Sequence, residues 1–453
     1  MLPVTGRATG EPVQVWRPAV WQIWLASAAL LVLLALPQLL RFAPDDPDDF
    51  MRLLQVRDWL AGQSWWDVRQ YRMDPRSGAD MHWSRLADLP LAVFLLPLGA
   101  LLAEPWASAA AMTVVPLLQL LLAMILLRAL MRALGAGEAA VLAATALPLL
   151  FPLLVDAFMP LRIDHHGWQA LAVLGVALLM AHGGWRNAAV AGAILAFALT
   201  ISLEVLPMAA MVGALFALRF VRFGSREHEG FLLGLALAAP LLALVTRGPT
   251  LGAAWCDQLS WPHLLAFTGA AACAFAARIA PAQGSVVGRA ATLLPVAAVA
   301  AAAMLLPLGA CAMDPFAGMD PVLRAWWLER VPEGLPIWMQ PLSAAAMLAW
   351  TIAVIVAGGL LAWRKAHGST ERERWAMLTL LALGAGALSL VVMRGGLVAQ
   401  LLAVPFAAVL VAHYLPRARA IAAMPPRLLA TVACLLRATP TLDSAALKPL
   451  DHR

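Results

Sequence analysis

Charge is scarce in this sequence. Only 13% of its 453 residues are Asp, Glu, Lys or Arg, where a soluble chain carries about a quarter. With 62% hydrophobic residues and a mean hydropathy of +0.80, that scarcity excludes an ordinary soluble domain. Cysteine is sparse too, and its four residues do not fall in a metal-binding spacing. Cys273 and Cys434 read as apolar filler, whereas Cys256 and Cys311 leave a disulfide open. A cleavable signal peptide is lacking. The first apolar stretch, 19–40, is long enough to span and follows Arg7 and Arg17, so it reads as an uncleaved signal anchor. No internal repeat is visible, which argues against many transporter folds. The net charge of +6 is almost all arginine. Clustered on loops, it reports topology and gives no reason to invoke nucleic acid.

What is present is a row of apolar segments. They cover 19–40, 107–131, 138–157, 167–183, 188–203, 205–221, 230–246, 262–278, 287–308, 341–362, 374–392 and 397–414. Each is near the length that crosses about 30 Å of hydrocarbon. The segment 89–103 is also apolar, but it is short, holds Pro97 and runs into Pro105. Basic residues decide its place. With a cytoplasmic N-terminus and 89–103 not spanning, Arg128, Arg132, Arg186, Arg219, Arg222, Arg226, Arg278, Arg289, Arg364, Lys365, Arg372, Arg374, Arg417 and Arg419 all fall inside. The expected fold is an all-α polytopic bundle of about 12 transmembrane helices, with 89–103 re-entrant or interfacial. Residues 1–414 form its membrane domain. Residues 415–453 form a cytoplasmic tail, with a surface helix near 427–437.

This topology puts three acidic sites on the external face. The first loop, 41–106, opens with Asp45, Asp46, Asp48 and Asp49. The second, 158–167, carries Asp164-His165-His166. The late loop, 309–340, carries Glu333 among Pro and Trp. A charge near the bilayer is costly and is kept mainly where it works. Four carboxylates in five positions repel one another, and a divalent cation relieves that. His with carboxylate suits Mn²⁺ or a similar metal, and carboxylates alone suit Mg²⁺. Each cluster also has an ordinary reading. Asp48 or Asp49 could cap the helix that follows, Asp164 could cap the next span, and Glu333 could be an exposed loop acid. Arg394 opens the last span on the external side, against the positive-inside trend, where it could hold a phosphate or snorkel to the interface. Glu204 lies at an external turn. His82, Trp83, Arg85 and Asp88 suit a sugar or lipid head group, or pack the loop.

Taken together, DDPDD at 45–49, RIDHH at 162–166, VPEGLP at 331–336 and the late Arg394 before Ala403-Val404-Pro405 resemble the catalytic subunit of oligosaccharyltransferases, in the GT-C class of membrane glycosyltransferases. That family has a long first external loop opening on an Asp motif, a short second loop with D-x-D, E-x-D or DHH, and a late loop with a T/S-V/I-x-E motif. Arg330 stands where the last motif has Ser or Thr. The resemblance implies metal ligands among Asp48, Asp164, His165 and His166, and catalytic carboxylates among Asp46, Asp48, Asp49 and Glu333. It implies a donor-phosphate contact at Arg394. His82, Trp83, Arg85, Asp88, Arg162 and Glu204 would touch or support the substrate. The family's soluble C-terminal domain with its WWDYG motif has no counterpart, and Trp65-Trp66-Asp67 in the first loop is not equated with it.

The implied reaction moves a sugar from a polyprenyl-(di)phosphate donor to an acceptor glycan, lipid or protein. It would run on the external face of a bacterial inner (plasma) membrane and use a divalent cation, Mn²⁺ or Mg²⁺. The alternative is a transporter or flippase of a lipid-linked or anionic substrate. That reading would place charge at mid-span, not at span ends on one face.

Overall fold

The computed structural model describes residues 18–279, 284–312, 314 and 316–440. Arg7, Arg17 and the end of the expected tail, 441–453, lie outside the described residues. The chain is helical throughout, and among the described residues the nearest thing to a sheet is one isolated bridge, Gln70 to Ala79.

The helices follow the apolar segments. The first, 19–40, is divided: α1 (Val20–Leu34) ends at Ala35 and α2 (Leu36–Arg41) restarts with Pro37, because proline removes a helix hydrogen bond. Then come α3 (Pro47–Leu60), α4 (Leu89–Leu101) and α5 (Trp106–Ala133). The segment 138–157 is also broken, into α6 (Glu138–Ala146), a 3-10 turn and α7 (Pro152–Ala157). Next are α8 (His166–His182), α9 (Trp185–Ile201), α10 (Leu206–Phe223), α11 (Glu227–Arg247), α12 (Trp261–Ala276) and α13 (Val286–Leu308). A short α14 (Pro321–Trp326) sits in the late loop. It precedes α15 (Leu342–Lys365), α16 (Ser369–Val391), α17 (Gly396–Arg419) and α18 (Met424–Arg437).

The chain is a multi-pass integral membrane protein. Among the described residues eight helices, counted with the 3-10 turns that continue them, are long and apolar enough to cross a membrane: α5, α10, α11, α12 (through Ile279), α13, α15, α16 and α17. Twelve spans were expected. Of the other four segments, 19–40 and 138–157 are interrupted by proline, and α8 and α9 are apolar but only 17 residues each. Helix α4 has 13 residues, about 20 Å of rise against about 30 Å of hydrocarbon.

Small residues set the tightest packing. A Cβ on Gly234 of α11 would lie 2.0 Å from the Ala189 carbonyl of α9, and one on Gly192 would lie 2.1 Å from the Phe231 carbonyl. The two backbones approach as only glycine allows. That fixes the far end of α9, where Glu204 follows on a 3-10 turn. Salt bridges close the opposite end, among them Arg219 Nε to Glu373 Oε1 at 2.9 Å. Cys256 and Cys311 form a disulfide at the Glu204 end, with Cα atoms 5.0 Å apart. The surface helix expected near 427–437 is present as α18, but it doubles back along α17. Its Arg437 carbonyl accepts from Trp350 Nε1 at 3.1 Å.

Candidate active site

Helix α3 delivers the first acidic cluster. Its cap is Asp46, neither Asp48 nor Asp49: Asp46 Oδ1 accepts the Asp48 N–H at 2.9 Å, and Pro47 takes the first helical position, where its missing N–H costs nothing. One turn of α3 then sends three acids to three tasks. Asp49 is fully buried and pins the second loop. Its Oδ1 accepts the Ile163 and Asp164 backbone N–H groups at 2.7 and 3.1 Å, and its Oδ2 lies 3.2 Å from Arg162 Nη1. Burial pushes its carboxyl up to about 7, against the pull of Arg162. Arg162 also meets Asp46 at 2.8 Å and Asp156 at 3.4 Å. The preceding residue, Leu161, is buried with φ 74, a strained backbone for a branched side chain. Asp48 is left: among the described residues no donor bonds its carboxylate. Its pKa is raised by burial, then by Asp164 and Asp46.

The first and second clusters therefore meet, through Asp49 and Arg162. Asp164 sits at the bottom of the second loop. Its Oδ1 accepts the His165 N–H at 2.6 Å and its Oδ2 contacts His166 Nδ1. Burial alone would raise this carboxyl, but the His165 and His166 rings hold it well below the usual range. Asp164 does not cap α8, whose cap position is His165. On the far side, His166 Nε2 lies 2.9 Å from Glu204 Oε2. Glu204 in turn pairs with Arg394, and Arg394 Nη2 lies 3.3 Å from Glu333 Oε2. The late loop is held there by its backbone as well, Met393 N–H donating to the Leu335 carbonyl at 3.3 Å. Glu333 stands at the site, where Arg394 offers it a charged partner.

The stretch His82 to Asp88 divides by role. Arg85 and Asp88 are buried to 1% exposure and lock the first loop. Arg85 donates to the carbonyls of Gln55 and Asp67 at 3.0 and 2.6 Å. Trp83 bonds Gln55 Oε1 and is also buried. These three are buried and support the loop, although Arg85 Nε has no hydrogen-bond partner. His82 differs: its ring stands 6.2 Å from that of His165, and burial lowers its pKa to about 4, so it is neutral near pH 7.

Arg52 was missed by sequence reasoning. It is fully buried, donates to Asp88 Oδ1 at 2.9 Å, lies 3.2 Å from His165 Nδ1 and 3.7 Å from Asp164 Oδ1, and stacks over Trp83 at 4.8 Å. Its signal was available: it stands three residues after Asp49 and one before Leu53 on α3, a cation on the face that Asp49, Leu53 and Val56 bury.

Two overlapping groups could hold a metal ion. Asp164, His165 and His166 bring one ligand atom each within 4.8 Å of one another, and so do His82, His165 and Glu204. Asp48 belongs to neither. The buried Nε2 of His165 has no hydrogen-bond partner and lies 3.4 Å from Glu204 Oε2. An imidazole nitrogen so placed beside a carboxylate fits a cation. The mix of nitrogen and oxygen donors suits Mn²⁺ or Zn²⁺ better than Mg²⁺.

Comparison with solved structures finds this bundle again. Against the archaeal oligosaccharyltransferase AglB from Archaeoglobus fulgidus, in complex with an inhibitory peptide and a dolichol-phosphate, the TM-score is 0.61 at 15% identity, covering 94% of this chain and 56% of that one. The fold is that of an oligosaccharyltransferase. The apo crystal structure of the oligosaccharyltransferase from the same organism gives 0.61 at 15% identity, over 97% of this chain and 56% of that one. Its complex with Zn and sulfate gives 0.55 at 15%, over 91% and 53%. This chain thus spans little more than half the length of those proteins, consistent with a match to the membrane region alone. No protein-family profile and no curated protein sequence matches it.

Proposed function

We propose that this protein is a membrane glycosyltransferase that moves a sugar from a polyprenyl-(di)phosphate donor to an acceptor at the external face of the membrane. One observation carries the reading. Within an oligosaccharyltransferase fold, Asp164, His166, Glu204, Arg394 and Glu333 form a continuous chain of charged contacts at one end of the bundle. The solved structures of this fold bear on it by what they are in complex with: an inhibitory peptide and a dolichol-phosphate in one case, Zn and sulfate in another.

Arg394 opens α17 with its guanidinium directed to two carboxylates and its Nε buried without a partner. It is the group suited to grip a phosphate, since a guanidinium forks onto phosphate oxygens. Asp48, raised in pKa and free of donors, is the carboxylate suited to orient the acceptor and take its proton as the new bond to the sugar forms. The bond from sugar carbon to phosphate breaks, and the leaving phosphate stays with Arg394. Asp164, His165 and His166, or His82, His165 and Glu204, would hold a divalent cation, which would supply charge neutralisation for the leaving phosphate. Arg52 and Asp49, both fully buried, fix the second loop in place.

The test is a purified, reconstituted protein given a polyprenyl donor with a labelled sugar. Label release that depends on Asp48, Asp164 and Arg394 supports the reading. Wild-type protein that moves the intact donor between leaflets without releasing the label would overturn it in favour of a flippase.

A further inference from the structure

The end of the bundle remote from the charged site carries a second concentration of donors that the proposed reaction leaves unused. Helices α15 and α17 run side by side and parallel: Gly358 packs on Phe406, and seven residues on, Lys365 reaches His413. Lys365 Nζ lies 2.6 Å from His413 Nδ1. An ammonium group can only donate, so Nδ1 accepts and the other ring nitrogen of His413 carries a hydrogen. Arg417 bonds the His413 carbonyl through one guanidinium nitrogen. With Ala412, Pro416 and Ala420, these three side chains line an open notch of ≈ 600 Å³.

With His413 Nδ1 taken up by Lys365, the polar side-chain groups left to face the notch are donors. Among the described residues no carboxylate pairs with Lys365 or Arg417, whereas Arg219 has Glu227 and Glu373 and Arg278 has Glu229. Two cations that converge without a carboxylate make a place for an anion. The surroundings say which kind. The other residues lining it, Ala412, Pro416 and Ala420, are apolar, and Tyr414 beside His413 is exposed, on a helix apolar enough to span. An apolar wall below and a cationic rim above match a molecule with an acyl tail and a charged head, and basic recesses between span ends are suited to phospholipid head groups.

We propose that the notch formed by Lys365, His413 and Arg417 binds the phosphate of an anionic phospholipid, with the acyl chains lying against α15 and α17. This site is separate from the glycosyl-transfer site and stands or falls independently of it.

The full chain is reconstituted in nanodiscs containing phosphatidylethanolamine with a minority of phosphatidylglycerol, released, and weighed by native mass spectrometry. Wild-type protein is expected to keep phosphatidylglycerol. Lys365→Gln with Arg417→Gln is expected to lose about tenfold in its retention, with phosphatidylethanolamine carry-over unchanged. Lys365→Arg with Arg417→Lys keeps both charges, is the check on folding, and is expected to retain the lipid. Equal retention by the Gln pair overturns the proposal, as does loss by the charge-keeping pair. Displacement of the lipid by millimolar inorganic phosphate also overturns it, because that marks a free-anion site.

Discussion

At the residue scale, the site rests on a fully buried arginine, Arg52. Removing Arg52 would leave Asp88 buried with only Arg85, 3.6 Å away. Arg52→Ala is expected to cost about 3 kcal/mol, because breaking a buried pair leaves an uncompensated charge. Thermal unfolding in detergent measures this, and a variant within about 0.5 kcal/mol of wild type would show that the loop does not depend on it. Glu333→Gln keeps shape and loses charge. We expect transfer to fall about a hundredfold or more with folding intact, and full activity in a polyprenyl-donor assay would remove Glu333 from the mechanism. His82 gives a pH signature. Its folded pKa of about 4 lies below the unfolded value near 6.5. As pH falls between those values, the unfolded chain takes up a proton that the folded one refuses, so stability declines as pH falls. A His82→Gln protein should show a flatter Tm profile from pH 6.5 to 4, and an unchanged slope would assign the effect elsewhere. Most of these residues were legible in sequence as acids and histidines out of place in an apolar chain. What was not legible was their division of labour. Asp46, Asp48 and Asp49 look alike in a string, and only the docking of the second loop decides which one is buried, which one caps and which one stays free.

At the element scale, periodicity placed the helices, and proline decided their integrity. The breaks at Pro37 and Pro152 follow from local chemistry. The return of α18 along α17 does not, because a short basic amphipathic helix can lie on a surface or pack on a neighbour with the same sequence. Helix α4 is expected not to cross. Single cysteines placed in 128–137 and in 183–187 should therefore resist an impermeant thiol reagent applied from outside, and labelling at both would reverse the topology. The contact between α9 and α11 should tolerate no side chain. Gly234→Val, with its Cβ driven toward the Ala189 carbonyl, is expected to destabilise by about 2 kcal/mol or more, read as a drop in Tm. A neutral effect would mean the two helices can part freely.

At the scale of the whole molecule, the charged groups are sorted to the two ends. Acids that bear on chemistry gather where α8, α10 and α17 begin, and the basic clusters between spans that hold Arg219 and Arg278 lie at the other end. That sorting was readable from the distribution of basic residues. The closing of the late loop onto Arg394 was not, since nothing in VPEGLP names its partner. The disulfide has a bearing on this end. Helix α13 buries almost none of its own surface, Leu308 excepted. It leans on α12, is fastened at one end by Arg289 to the Val221 carbonyl at 2.9 Å, and is fastened at the other by Cys311 to Cys256. The α12–α13 pair is thus a loop of chain riveted shut, and the rivet sits at the root of the segment that carries Glu333. Under a reductant the Arg289 fastening would hold while the disulfide let go, and the Glu333 segment would keep its place by Arg394 and the Leu335–Met393 hydrogen bond alone.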